Sequence, residues 1–124
     1  MLSRDSSEKI RILLDDFVDG DIIYGAVVFN SLGVPIIWKL KPTIALTTVQ
    51  NLMPLLEAAM KANKLSDPSL GPFFYSVYRF RNVKVSFANI DGSGYLIIIV
   101  NPEWHVELLL PKIRKLLMNL RRLL

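Results

Sequence analysis

Two hydrophobic rhythms alternate along this chain: apolar residues every three or four positions, and apolar runs that are unbroken or fall on every second position. Ile10, Leu13, Leu14 and Phe17 follow the first rhythm up to Gly20, and Asp5 with Glu8 has capping-box spacing, so a first amphipathic helix is predicted. From Ile22 to Phe29 nearly every position is apolar, Asn30-Ser31-Leu32-Gly33 has turn composition, and Val34 to Leu40 is apolar again. That is a β-hairpin. Its first strand reads as a central one, covered on both faces, whereas Pro35, Lys39 and Lys41 blunt an exposed edge and place the second strand on the outside of the sheet.

Between Thr43 and Lys64, residues Leu46, Val49, Met53, Leu56 and Met60 step by threes and fours, the seam of a long second helix. Pro54 removes a backbone donor and crowds the preceding turn, which predicts a kink or restart near Met53. Ser66 to Pro72 is a loop by composition. Three strands follow, Phe73 to Phe80, Val83 to Asn89 and Tyr95 to Val100, joined by Arg81-Asn82 and Asp91-Gly92-Ser93-Gly94 as a meander. In the middle strand Val83, Val85 and Phe87 alternate with Lys84, Ser86 and Ala88, while the last strand is another central-type run. A final helix is expected from Asn101 or Pro102. It is acidic early at Glu103 and Glu107 and basic late, carries the stripe Leu109, Ile113, Leu116, Leu117 and Leu120, and is bent by Pro111.

Helix, two strands, helix, three strands, helix describes an α/β (α+β) domain in which an antiparallel sheet with helices on both faces buries every apolar stripe. At 124 residues, positions 1–124 are expected to form a single domain. With 52% hydrophobic against 21% charged residues, the chain sits at the apolar end of folded proteins, which points to some apolar surface lying in an interface. The longest apolar run, Tyr95 to Val100, is far short of the roughly 20 residues that cross a bilayer. Met1-Leu2-Ser3-Arg4-Asp5 turns acidic at once, unlike a secretory leader, so a cytoplasmic home is expected.

Charge is unevenly placed. Asp5, Glu8, Asp15, Asp16, Asp19 and Asp21 crowd the start, and Lys112, Arg114, Lys115, Arg121 and Arg122 crowd the end with no acid among them. Such a basic end suits first a solvated helix C-terminus complementing its own dipole, and it can also meet nucleic acid, an anionic membrane or an acidic partner surface. Catalytic sets are missing. His105 is the only histidine and there is no cysteine, so Ser-His, Cys-His and multi-His metal arrangements cannot be assembled within one chain. Asp15-Asp16 and Asp19-Gly20-Asp21 lack calcium-loop spacing, and Gly92-Ser93-Gly94 leads into a strand where a phosphate site needs a helix N-terminus. No enzyme activity, metal or cofactor is expected. The aromatics Phe74, Tyr75, Tyr78 and Phe80 with Arg79 and Arg81 could stack bases, but strand packing and pairing account for the same residues and nucleic acid is disfavoured.

The element order, the hairpin Ala26-Val27-Val28-Phe29-Asn30-Ser31-Leu32-Gly33-Val34-Pro35-Ile36 and the strand Gly94-Tyr95-Leu96-Ile97-Ile98-Ile99-Val100 resemble the roadblock family of dynein light chains and small-GTPase regulators. Asn30-Ser31 stands where the family frequently has an acid. Longin domains share the sheet but begin with a strand, whereas this chain opens with a helix. The resemblance implies a five-stranded sheet in the order 2-1-5-4-3, with strand 3 at an edge. It also implies a homodimer in which strand 3 pairs with its twin and the second helices lie side by side. The dimer interface would then comprise Phe74, Tyr75, Ser76, Val77, Tyr78, Arg79 and Phe80, with Leu46, Val49, Met53, Leu56 and Met60. A long aromatic edge strand guarded only by Arg79 is independently a pairing site. The function implied is a non-catalytic homodimeric scaffold or regulatory subunit for a partner protein, a small Ras-like GTPase. The alternative is a basic-surface module for membrane or nucleic acid through the last helix.

Overall fold

In the computed structural model, which describes residues 2–124, helix α1 (Arg4–Phe17) leads into the hairpin β1 (Ile23–Asn30) and β2 (Pro35–Leu40). Next come α2 (Leu46–Asn51), α3 (Met53–Asn63), β3 (Tyr75–Arg79), β4 (Lys84–Asn89), β5 (Gly94–Val100) and α4 (Val106–Leu123). The strands form one five-stranded antiparallel sheet in the order β2-β1-β5-β4-β3. The apolar strands β1 and β5 are therefore neighbours at its centre, with β2 and β3 at the two edges.

Side chains of a strand alternate between faces, so each central strand supplies two cores. Ala26, Val28, Leu96, Ile98 and Val100 meet Ile10, Leu14 and Phe17 of α1 and Leu109, Ile113, Leu116 and Leu120 of α4. Val27, Phe29, Val85, Phe87, Ile97 and Ile99 meet Val49, Leu52, Leu56 and Ala59 of α2 and α3 on the other face. Burying each large side chain contributes about 1.5–3 kcal/mol, which is why the apolar rhythms chose these faces.

Several boundaries differ from the sequence expectation, each for a local reason. Ser3, not Asp5, caps α1: its Oγ accepts from Ser6 N at 3.0 Å, and Asp5 lies inside the helix, paired with Lys9 at 3.2 Å. The single long second helix is two helices parted at Leu52, and Pro54 takes a first-turn position of α3 where its missing donor costs nothing. β3 is shorter than Phe73–Phe80. α4 starts at Val106 and not at Asn101 or Pro102, because the Asn101 side chain accepts from Glu103 N and donates to the Asp21 carbonyl, holding Asn101–His105 as a turn.

Candidate functional site

The most unusual surface is the β3 edge. The β3–β4 hairpin closes with Phe80 N donating to Val83 O at 2.9 Å and ends with Asn89 N on Phe74 O at 3.4 Å. In an antiparallel ladder, bonded and non-bonded pairs alternate, so residues 74, 76, 78 and 80 bond to β4. The backbone N–H and C=O groups of Tyr75, Val77 and Arg79 therefore face outward with no strand beside them. Around them Phe74 is 70% exposed, Phe80 43% and Val77 38%. Tyr78 turns inward, edge-on to the Phe87 ring at 5.7 Å, and anchors the strand to the α2–α3 core. Arg79 folds along the hairpin, donating to the Phe80 and Arg81 carbonyls.

The opposite edge is managed differently. β2 begins with Pro35, packs against α1, and its Lys39 pairs with Asp15 at 3.5 Å. Proline and lysine at an edge discourage strand addition, whereas β3 has neither.

The helical seam is not a single exposed stripe. Val49 and Leu56 are buried against the chain's own sheet, Met53 and Met60 are half-buried, and Leu46 is exposed. Beside the break between α2 and α3, a cleft of about 640 Å³ lined by Ile44, Leu52, Leu55, Phe80 and Val83 runs to the Phe80 end of β3. On the other face, a groove of about 430 Å³ opens between α4 and the β3–β4 hairpin.

The basic residues of α4 do not act together. Lys112 reaches back to the Phe17 carbonyl at 3.5 Å and its ring at 5.3 Å, Arg121 pairs with Asp91, and Arg122 donates to Asn119 at 2.6 Å. Arg114 lines the groove beside β3, and Lys115 lies exposed. His105 is an exposed N-cap residue without a side-chain cap bond. Among the described residues no three His, Cys, Asp or Glu side chains group to hold a metal ion, and no helix is long and apolar enough to cross a membrane. Gly92-Ser93-Gly94 is a tight turn, with Ser93 N on Ile90 O at 2.8 Å.

Sequence reasoning missed two polar features next to this edge. Ser86 shares a strand face with Lys84 in the alternation, and it is buried because Leu110 and Ile113 of α4 wall that side. The other is a chain from Asn89 Nδ2 to Asn63 Oδ1 at 2.8 Å and from Asn63 Nδ2 to Tyr95 OH at 3.3 Å, which ties the end of α3 to the β4–β5 corner. Only the small side chains in Ser86-Phe87-Ala88 signalled the first, and nothing local signalled the second.

A 2-1-5-4-3 antiparallel sheet with α1 and α4 on one face and α2 and α3 on the other is the roadblock fold, and the chain resembles the roadblock family. Among solved structures it is similar to MglB in a tetrameric arrangement, at 14% identity over 99% of this chain and 93% of that one, with a TM-score of 0.80. The gliding protein MglB of Thermus thermophilus gives 12%, 99%, 93% and 0.74 by the same measures. A Roadblock/LC7 domain from Streptomyces avermitilis gives 13%, 90%, 93% and 0.65. No protein-family model and no curated protein matches the chain, so the likeness is one of fold.

Proposed function

We propose that this chain is a cytoplasmic, non-catalytic docking subunit that works as a homodimer joined through β3. It offers its α2–α3 layer to a partner protein, of the small Ras-like GTPase class that the roadblock resemblance implies. The observation that carries the reading is the row of outward backbone groups at Tyr75, Val77 and Arg79, flanked by exposed Phe74 and Phe80. With a two-fold axis at Val77, each Val77 bonds its own copy and each Tyr75 faces the partner's Arg79. Every outward N–H and C=O then has a match, each bond contributing about 1 kcal/mol. A strand pair alone falls short of the roughly 1,200 Å² of a stable interface, so Leu46, Met53 and Met60 belong to the same contact. Self-association is stated of one similar structure, the tetrameric MglB.

Val77→Pro tests this cleanly, since the Val77 N–H does not bond to β4 and its loss leaves the hairpin ladder intact. Light scattering is expected to give twice the 14.1 kDa chain mass for the wild type and the single mass for the variant. A monomeric wild type, or a dimeric Val77→Pro of unchanged affinity, contradicts the reading.

A further inference from the structure

We propose that the groove between α4 and the β3–β4 hairpin is a binding site for an amphiphilic monocarboxylate. This goes beyond the pairing function and does not depend on it. The groove lies between α4 and the β3–β4 hairpin, and its walls are Phe74, Tyr75, Ala88, Leu110, Ile113 and Leu117.

Two polar groups select the ligand's head. Ser86 is 1% exposed and lines the groove, so its hydroxyl is a hydrogen-bonding group that an acceptor on a ligand in the groove can use. Arg114, on the groove wall, has no ion-pair or hydrogen-bond partner among the described residues, while the one acid at the rim, Asp91, is neutralised by Arg121. The free charge of the groove is therefore positive. A guanidinium fork beside a hydroxyl donor fits a carboxylate better than any neutral head.

Size selects the tail. At about 430 Å³ the groove is within the range of small-molecule sites. A chain of about ten carbons, each with roughly the 30 Å³ of a liquid water, occupies on the order of 300 Å³. Two turns of a docked helix about 10 Å across need roughly 800 Å³ and do not fit.

The test is an amide NMR titration with decanoate below its micelle concentration, using decanol and decylamine as comparisons. Saturable shifts are expected at Ser86, Ala88, Leu110, Arg114 and Leu117. Hexanoate is expected to bind more than tenfold more weakly, since each methylene carries roughly three- to fourfold. Arg114→Gln, at an exposed helix position that leaves the fold intact, is expected to weaken decanoate about tenfold and Ser86→Ala about threefold. Val77→Pro is expected to bind decanoate as the wild type does, which separates this site from the pairing claim. Decanol binding as tightly as decanoate, an unchanged affinity in Arg114→Gln, or shifts spread over α1 overturns the proposal.

Discussion

Between α1 and β1 the chain reverses around Asp19, whose Oδ1 accepts from the backbone N–H of Asp21 at 2.9 Å, Ile22 at 2.8 Å and Ile23 at 3.0 Å. Burial works to raise this carboxyl, but the three backbone donors and the charge of Lys112 outweigh it and hold its pKa below the usual carboxylate range. A lowered folded-state pKa means stability that is fully present above the unfolded value and is lost as pH falls through the folded one. Asp19→Ala is expected to cost about 1–2 kcal/mol at neutral pH, roughly 3–6 °C in Tm. Thermal melts at falling pH should show the gap to wild type closing below about pH 4. A gap that stays constant at pH 3 contradicts this role. Gly94 is a second single-residue determinant: a Cβ there would strike the Phe29 carbonyl of the neighbouring strand, and backbone cannot step aside. Gly94→Ala is expected to lower unfolding free energy by about 3 kcal/mol in urea titrations, the range of overpacking that cannot relax. A loss below about 1 kcal/mol would show that the β1–β5 pairing yields.

The elements were legible in the sequence wherever one rhythm ran unbroken, and illegible where a distant side chain decided the end. The central position of β1 and β5 and the blunted edge of β2 followed from composition alone, and Pro54 marked the start of α3. The start of α4 did not follow, because Asn101 spends its side chain on the Asp21 carbonyl, a contact no local pattern records. The spacing of Leu46, Val49, Met53, Leu56 and Met60 showed that a stripe is buried but not against what. Val49 and Leu56 answer to the chain's own sheet. Pro111 is a strain that the helix carries within its first turns, because it brings no N–H to the Glu107 carbonyl one turn before it. Pro111→Ala is accordingly expected to stabilise the protein by about 1–3 kcal/mol, read as a higher urea midpoint at unchanged slope.

For the molecule as a whole, the sheet is finished on one side and open on the other. β2 is closed by α1, Pro35 and the Lys39–Asp15 pair, while β3 ends in unmatched backbone between exposed aromatics. The family resemblance implied that positions 73–80 form an edge and their aromatic run marked it for pairing, but which residues face outward needed the ladder parity. The central claim is a two-fold pairing of β3 centred on Val77, and position 77 allows it to be measured directly. The chain has no cysteine, so Val77→Cys introduces a single thiol on the α4 side of the strand, out of the plane of the pairing bonds. Two such thiols would lie on neighbouring strands whose facing Cα atoms are about 5.5 Å apart. A short bis-maleimide should therefore convert Val77→Cys to covalent dimer nearly completely, while Leu32→Cys, at the exposed β1–β2 hairpin tip, stays monomeric on a denaturing gel. No cross-link at position 77, or equal cross-linking at both positions, would contradict it.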